Sequence, residues 1–167
     1  MNRNIFISHS NKFIEISKYF VAFLKSRNLN PIVVEFMPNE GRLWSINEKV
    51  EHFMRISDSA ILIATPDEIQ DGNPIPRMDV IFELGRLKGK KVIILKERST
   101  MLPKSLDPVF VPFDPDDPSG CLDQLDAELK SIFGEGVISK IPFTAEPPRH
   151  RTRPAYTLCF ATLGPGF

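Results

Sequence analysis

The 167-residue sequence predicts an α/β protein: a flavodoxin-like three-layer sandwich on a five-stranded parallel sheet of order 2-1-3-4-5. Short apolar runs alternate with segments of helical periodicity, in the order β-α-β-α-β-α-β-β-α, which places helices on both faces of a parallel sheet. Two of the runs, AILIA at 60–64 and VIIL at 92–95, are continuously apolar, as expected of strands covered on both faces. Most connections are short, crossovers between parallel strands are right-handed almost without exception, and 2-1-3-4-5 is the flavodoxin-like order of such units.

Each element has its own warrant. Asn4 to Ile7 is the first strand, followed by the polar turn Ser8-His9-Ser10-Asn11, which holds preferred helix caps. Phe13, Ile16, Phe20, Phe23 and Leu24 recur with helical spacing. That helix runs to about Arg27 and breaks at Asn28 to Asn30. Pro31 opens a second strand, Ile32 to Phe36, and MPNEGR (37–42) is a polar loop. A second helix spans about Trp44 to Ile56, with Ile46, Val50, Phe53 and Met54 on its apolar side. The third strand is 60–64. Thr65-Pro66-Asp67 starts a loop rich in Asp, Gly, Asn and Pro that reaches Pro76.

The central helix is expected over Met78 to Lys88. Val80, Leu84 and Leu87 share its apolar side, and Glu83 sits at the border of that stripe. Gly85 reads as room for close approach to a neighbour. Gly89 fits the left-handed residue that ends many helices. Val92 to Leu95 is the fourth strand, Val109 to Val111 a weak fifth, and Pro112 to Pro118 a loop. The last helix begins at Ser119 or Gly120, carries Leu122, Leu125, Leu129, Ile132 and Phe133, and stops at Gly134 to Gly136. Residues 1–136 therefore form one domain. Residues 137–167 show no sustained periodicity. Disorder is the simplest reading; a linker, the start of a second domain and a non-native end remain open.

Composition narrows the function. Lys+Arg and Asp+Glu both number 21, so charge gives no support for direct nucleic-acid binding or an anionic membrane partner. No apolar run approaches the ~20 residues that span a bilayer. MNRNIFISHS lacks a signal-peptide core, and a cytoplasmic protein is expected. Cys121 and Cys159 form no metal or redox spacing, so free thiols and no metal site are expected. His52 and His150 read as surface residues. Neither a dinucleotide glycine fingerprint nor a Walker motif is present.

In an open parallel sheet, ligands bind beyond the carboxyl ends of the strands where the order reverses. That point is flanked here by Ser8-His9-Ser10, by Thr65-Pro66-Asp67, by the loop holding Gly41 and Arg42, and by the start of the Glu83 helix. Each also has a structural reading. The serines can be helix caps, Gly41-Arg42 a solvated turn, Trp44 a core or staple residue, and Glu83 a surface partner of Arg86 at i+3.

NIFISHS, Gly41-Arg42-Leu43-Trp44 and SDSAILIATPDE, followed by PRMDVIFELGRLKGKKVIIL and LPKSLDPVFVPFD, resemble the TIR domain. The last two segments are more specific and resemble bacterial TIR-like domains described as nucleotide-binding, some of them fused to STING-like sensors in phage defence. The resemblance covers about residues 1–135 and makes 1–136 a TIR-like nucleotide-binding domain. It implies the flavodoxin-like sheet and, in members that are enzymes, cleavage of the nicotinamide–ribose bond of NAD or NADP. The family's catalytic glutamate falls on Glu83. Ser8 and His9 fall beside its nucleotide pocket, Trp44 on its tryptophan after the second-strand loop, and Ser10, Gly41, Arg42, Thr65 and Asp79 are taken as further substrate-binding positions. NAD would be the substrate, with no separate cofactor. Self-association into a homo-oligomer on activation and a sensor protein as partner are implied too. A non-catalytic adaptor or nucleotide-binding module and a nucleoside deoxyribosyltransferase-like enzyme are the alternatives.

Overall fold

The structure is a computed structural model that describes residues 3–103, 110–136, 138 and 141–148. Its elements are β1 (Asn4–Ser8), α1 (Ile14–Ser26), β2 (Asn30–Ile32), α2 (Ile46–Ile56), β3 (Ser59–Ala64), β4 (Glu68–Gln70), β5 (Asn73–Ile75), α3 (Met78–Arg86), β6 (Lys91–Glu97), β7 (Phe110–Phe113) and α4 (Leu122–Phe133). The main sheet has the order β2-β1-β3-β6-β7, and all its pairings are parallel. With the small β4–β5 pair set aside, this is the predicted 2-1-3-4-5 arrangement.

Alternation along the strands builds two cores. Ile5, Ile7, Ile61, Ile63, Ile93 and Leu95 point to one face and pack with Phe20, Phe23, Leu125 and Leu129 of α1 and α4. Phe6 and Ala60 point the other way, onto Val50, Phe53 and Met54 of α2 and onto Leu87. Leu62, Ala64 and Ile94 take Val80 of α3. Because strand side chains alternate, the same apolar run serves both faces.

Several boundaries differ from the sequence expectation. β2 is shorter than Ile32 to Phe36: pairing with β1 ends at Phe6–Ile32, and Val34–Phe36 forms a 3₁₀ turn. As an edge strand it has a single ladder to hold it, and the turn carries Glu35 to the end of β1. The loop over 65–76 contains the antiparallel β4–β5 hairpin. Asp71 and Gly72 both have positive φ, 50° and 78°, the type I′ geometry that Asp-Gly favours. Pro112 lies within β7 rather than in a loop. A Cβ on Gly85 would meet nothing within 4 Å, so that glycine serves no close packing. Gly89, at φ 87°, does follow the end of α3.

Of the stretch after 136, Ile138 is buried in the α1–α4 core. The Phe143 ring stands edge-on to Tyr19 and Phe23, with centroids 5.3 and 5.4 Å away. Arg27 joins this region to the domain, donating to Asp126 at 2.8 Å and to the Ile141 carbonyl at 2.6 Å. Residues 149–167, with His150 and Cys159, lie outside the described residues. No described helix is long and apolar enough to cross a membrane.

Candidate functional site

A cleft of about 560 Å³ opens beside the carboxyl end of β1, within the usual range for small-molecule sites. Its floor is Phe6 and Ile7 of β1. One wall comes from Glu35 and from Ile46, Asn47 and Val50 of α2. The other is α3 and the residue before it, with Arg77, Asp79, Phe82, Glu83 and Arg86. His9 and Asn11 close the end.

Local sequence explains the placement. α3 docks through Val80, Leu84 and Leu87, and that stripe turns the neighbouring Glu83 to the cleft, where it is half-buried. α2 is fixed at its start by a reciprocal cap: Glu48 N–H donates to Ser45 Oγ, and Ser45 N–H to Glu48. Such boxes satisfy two otherwise unpaired donors.

The electrostatics single out Glu83. Arg77 pairs with Asp79 at 2.7 Å. Arg86 faces Glu51 at 3.7 Å, not Glu83, so the surface i+3 pair does not form. His9 Nε2 lies 3.5 Å from Glu35. Of the described acids lining the cleft, Glu83 is the one in no ion pair. Its removal from water raises its pKa above the ordinary 4.5. Glu35 and Asp79 add to this, while the nearby Ser8 hydroxyl and His9 oppose it. Ser8 Oγ completes no hydrogen bond of ordinary geometry and is buried without a partner.

The structure thus brings Glu83, Asp79 and His9 into one cleft and sets Ser8 at its edge. The other sequence candidates lie elsewhere. Ser10 is buried and caps the turn before α1, accepting from Lys12 N–H at 3.2 Å. Thr65 is buried and donates to Asp67 at 3.1 Å, where the chain closes the β4–β5 hairpin. Gly41 is in an exposed turn at φ 71°. The Arg42 guanidinium stacks on Trp44 at 5.1 Å. Trp44 donates to the Asn39 carbonyl at 2.9 Å and packs its ring on His52, with centroids 5.0 Å apart. These contacts tie the 37–45 loop to α2. They also correct the surface reading of His52, whose Nδ1 is buried.

Sequence reasoning missed Glu35, Arg77, Phe82 and the Ile46–Asn47 pair. Arg77 and Phe82 stand in the segment that carries the family resemblance, and that was their available signal. Glu35 had none while it read as a strand residue. Among the described residues no cluster of three or more His, Cys, Asp or Glu could hold a metal ion. Cys121 is free, and burial pushes its thiol up to about 11.

Fold and cleft together define a flavodoxin-like α/β domain with an unpaired acid at the mouth of a ligand-sized pocket. The family model for the TIR domain of CAP12/Pycsar effector proteins matches residues 4–111, a span that includes β1, Glu35 and all of α3. The chain belongs to this family. No curated protein matches it.

Proposed function

We propose that this domain hydrolyses the nicotinamide–ribose bond of NAD or NADP, as an effector in bacterial anti-phage defence or signalling. The observation that carries the proposal is Glu83: a half-buried acid in a cleft of nucleotide size, in no ion pair. Nicotinamide leaves as a neutral ring, so no general acid is needed. The barrier lies in the positive charge that develops on the ribose, as in glycoside hydrolysis. A carboxylate already fixed beside that carbon stabilises the charge without reorganisation, or attacks the carbon as a nucleophile. Water then completes hydrolysis to ADP-ribose or its 2′-phosphate. Self-association and a sensor partner are part of the proposal, since such a domain needs a trigger.

The test is nicotinamide release followed by HPLC, on concentrated protein and on protein fused to an oligomerising scaffold. Wild type should release nicotinamide, and Glu83→Gln should not, while keeping the wild-type far-UV spectrum. Equal turnover by the variant would remove Glu83 from the chemistry. A wild type that stays silent when oligomerised would point to an adaptor, and base exchange on deoxynucleosides to a transferase.

A further inference from the structure

We infer that Glu35 is a positioning residue: its carboxylate holds the His9 ring as a doubly protonated imidazolium inside the cleft. The inference rests on the proposed NAD-cleaving reading only for its consequence in turnover.

His9 Nδ1 lies 3.1 Å from the Ser10 carbonyl oxygen. A carbonyl only accepts, so Nδ1 must carry a proton. The other nitrogen, Nε2, is buried with no hydrogen-bond partner and lies 3.5 Å from Glu35 Oε2, within ion-pair range if the ring is charged, and an ionised carboxylate also only accepts. A neutral ring has one N–H and would turn its Nε2 lone pair on that carboxylate. At 3.5 Å there is no room for a water between the two atoms. A ring protonated at both nitrogens suits both neighbours.

Protonation of Glu35 instead would relieve the clash, but the surroundings oppose it. Its side chain is 43% exposed, and contact with His9, with help from Lys49 of α2, holds its carboxyl below the usual range. Lys49 itself donates to the Met37 carbonyl at 2.6 Å. From the α3 side, Arg77, Asp79, Glu83 and Arg86 line the same cleft. Burial works against a charged His9; Glu35, the Ser10 carbonyl and Glu83 outweigh it, so the ring titrates above its ordinary 6.5. The result is a fixed cation near Glu83. It counters the desolvation of that acid and favours its ionised form, the form able to meet a cationic ribose.

Histidine Cε1–H NMR titration of the full chain tests this, with the His9 signal assigned by its loss in His9→Asn. We expect a wild-type midpoint above 6.5 and a Glu35→Gln midpoint below it, since burial then acts unopposed by that carboxylate. Glu35→Asp should recover part of the shift. A wild-type midpoint below 6.5, or the same midpoint in wild type and Glu35→Gln, would overturn the inference. Thermal melts establish that both variants fold.

The alkaline limb of nicotinamide release should move to lower pH in Glu35→Gln, in step with the ring. A ring that shifts while the limb stays would overturn the role in turnover and leave NAD cleavage standing. A wild type without nicotinamide release would refute the NAD reading, and the NMR midpoints would still decide the state of His9.

Discussion

Val80 is the peg that sets where Glu83 points, and Val80→Ala shows how much the site depends on it. The side chain is 2% exposed and packs with Leu62, Ala64 and Ile94 on the sheet, one helical turn before Glu83. Truncation to alanine removes two buried methyl equivalents, worth about 1.6 kcal/mol at ~0.8 kcal/mol each. An incompletely collapsed void of about 30 Å³ adds ~0.7 kcal/mol. Alanine's better helix propensity returns about 0.5 kcal/mol. The net loss is about 2 kcal/mol. For a domain of this size that lowers Tm by about 4–8 °C. Urea denaturation followed by circular dichroism measures the loss directly. Nicotinamide release, assayed where the variant is still fully folded, should fall as well, because a looser α3 no longer holds its acid in place. A loss below ~0.5 kcal/mol would show that Val80 does not anchor the helix. A full loss with undiminished turnover would separate the anchor from the site.

Two further outcomes follow from the same geometry. The folded-state pKa of Glu83 is raised, so the fold favours its neutral form; the stability this gives is complete below the unfolded-state pKa and is lost as pH rises through the folded-state value. Glu83→Gln should therefore melt with wild type in acid and progressively above it as pH rises past about 4.5, and a variant less stable than wild type throughout would contradict the burial of that acid. Phe143→Ala removes two edge-on ring contacts, each worth ~0.5–1.5 kcal/mol beyond area, and should cost at least about 1 kcal/mol in urea denaturation; no cost would mean that the Phe143 ring does not stabilise the domain.

The sheet was legible because its signal is local and redundant. Apolar runs fix the strands, and the residues between them fix the crossovers. Glu83 was legible for a related reason: a carboxylate beside an apolar stripe must lie where a packed helix meets solvent. The hairpin was also written in the sequence, in Asp71-Gly72, but polar β4 and β5 lack the apolar alternation that usually marks strands. Gly41, Arg42 and Trp44 stand near the predicted crevice in sequence order. Their side chains are claimed by contacts with one another, Asn39 and His52, which only a three-dimensional path for the loop can reveal. Glu35 is the sharper case. In the run IVVEF it looks like one more strand position, and its place in the cleft depends on β2 leaving the ladder after Ile32.

The charges of the cleft then explain why one acid stands out among several. Asp79 has Arg77, Glu35 has His9, and Arg86 is drawn to Glu51 on α2. Each contact neutralises a group that would otherwise compete for a charged ligand. Glu83 alone among the described lining acids is in no ion pair, and its partial desolvation raises its pKa. A purely structural site would gain by pairing it, since breaking or omitting a partner for a buried charge is destabilising. An acid left unmatched beside apolar Phe82 and Ile46 instead suits a ligand that brings a flat ring and a positive charge together. In the proposed reaction, nicotinamide joined to ribose brings both, and on cleavage the ring would depart neutral while the charge passes to the sugar.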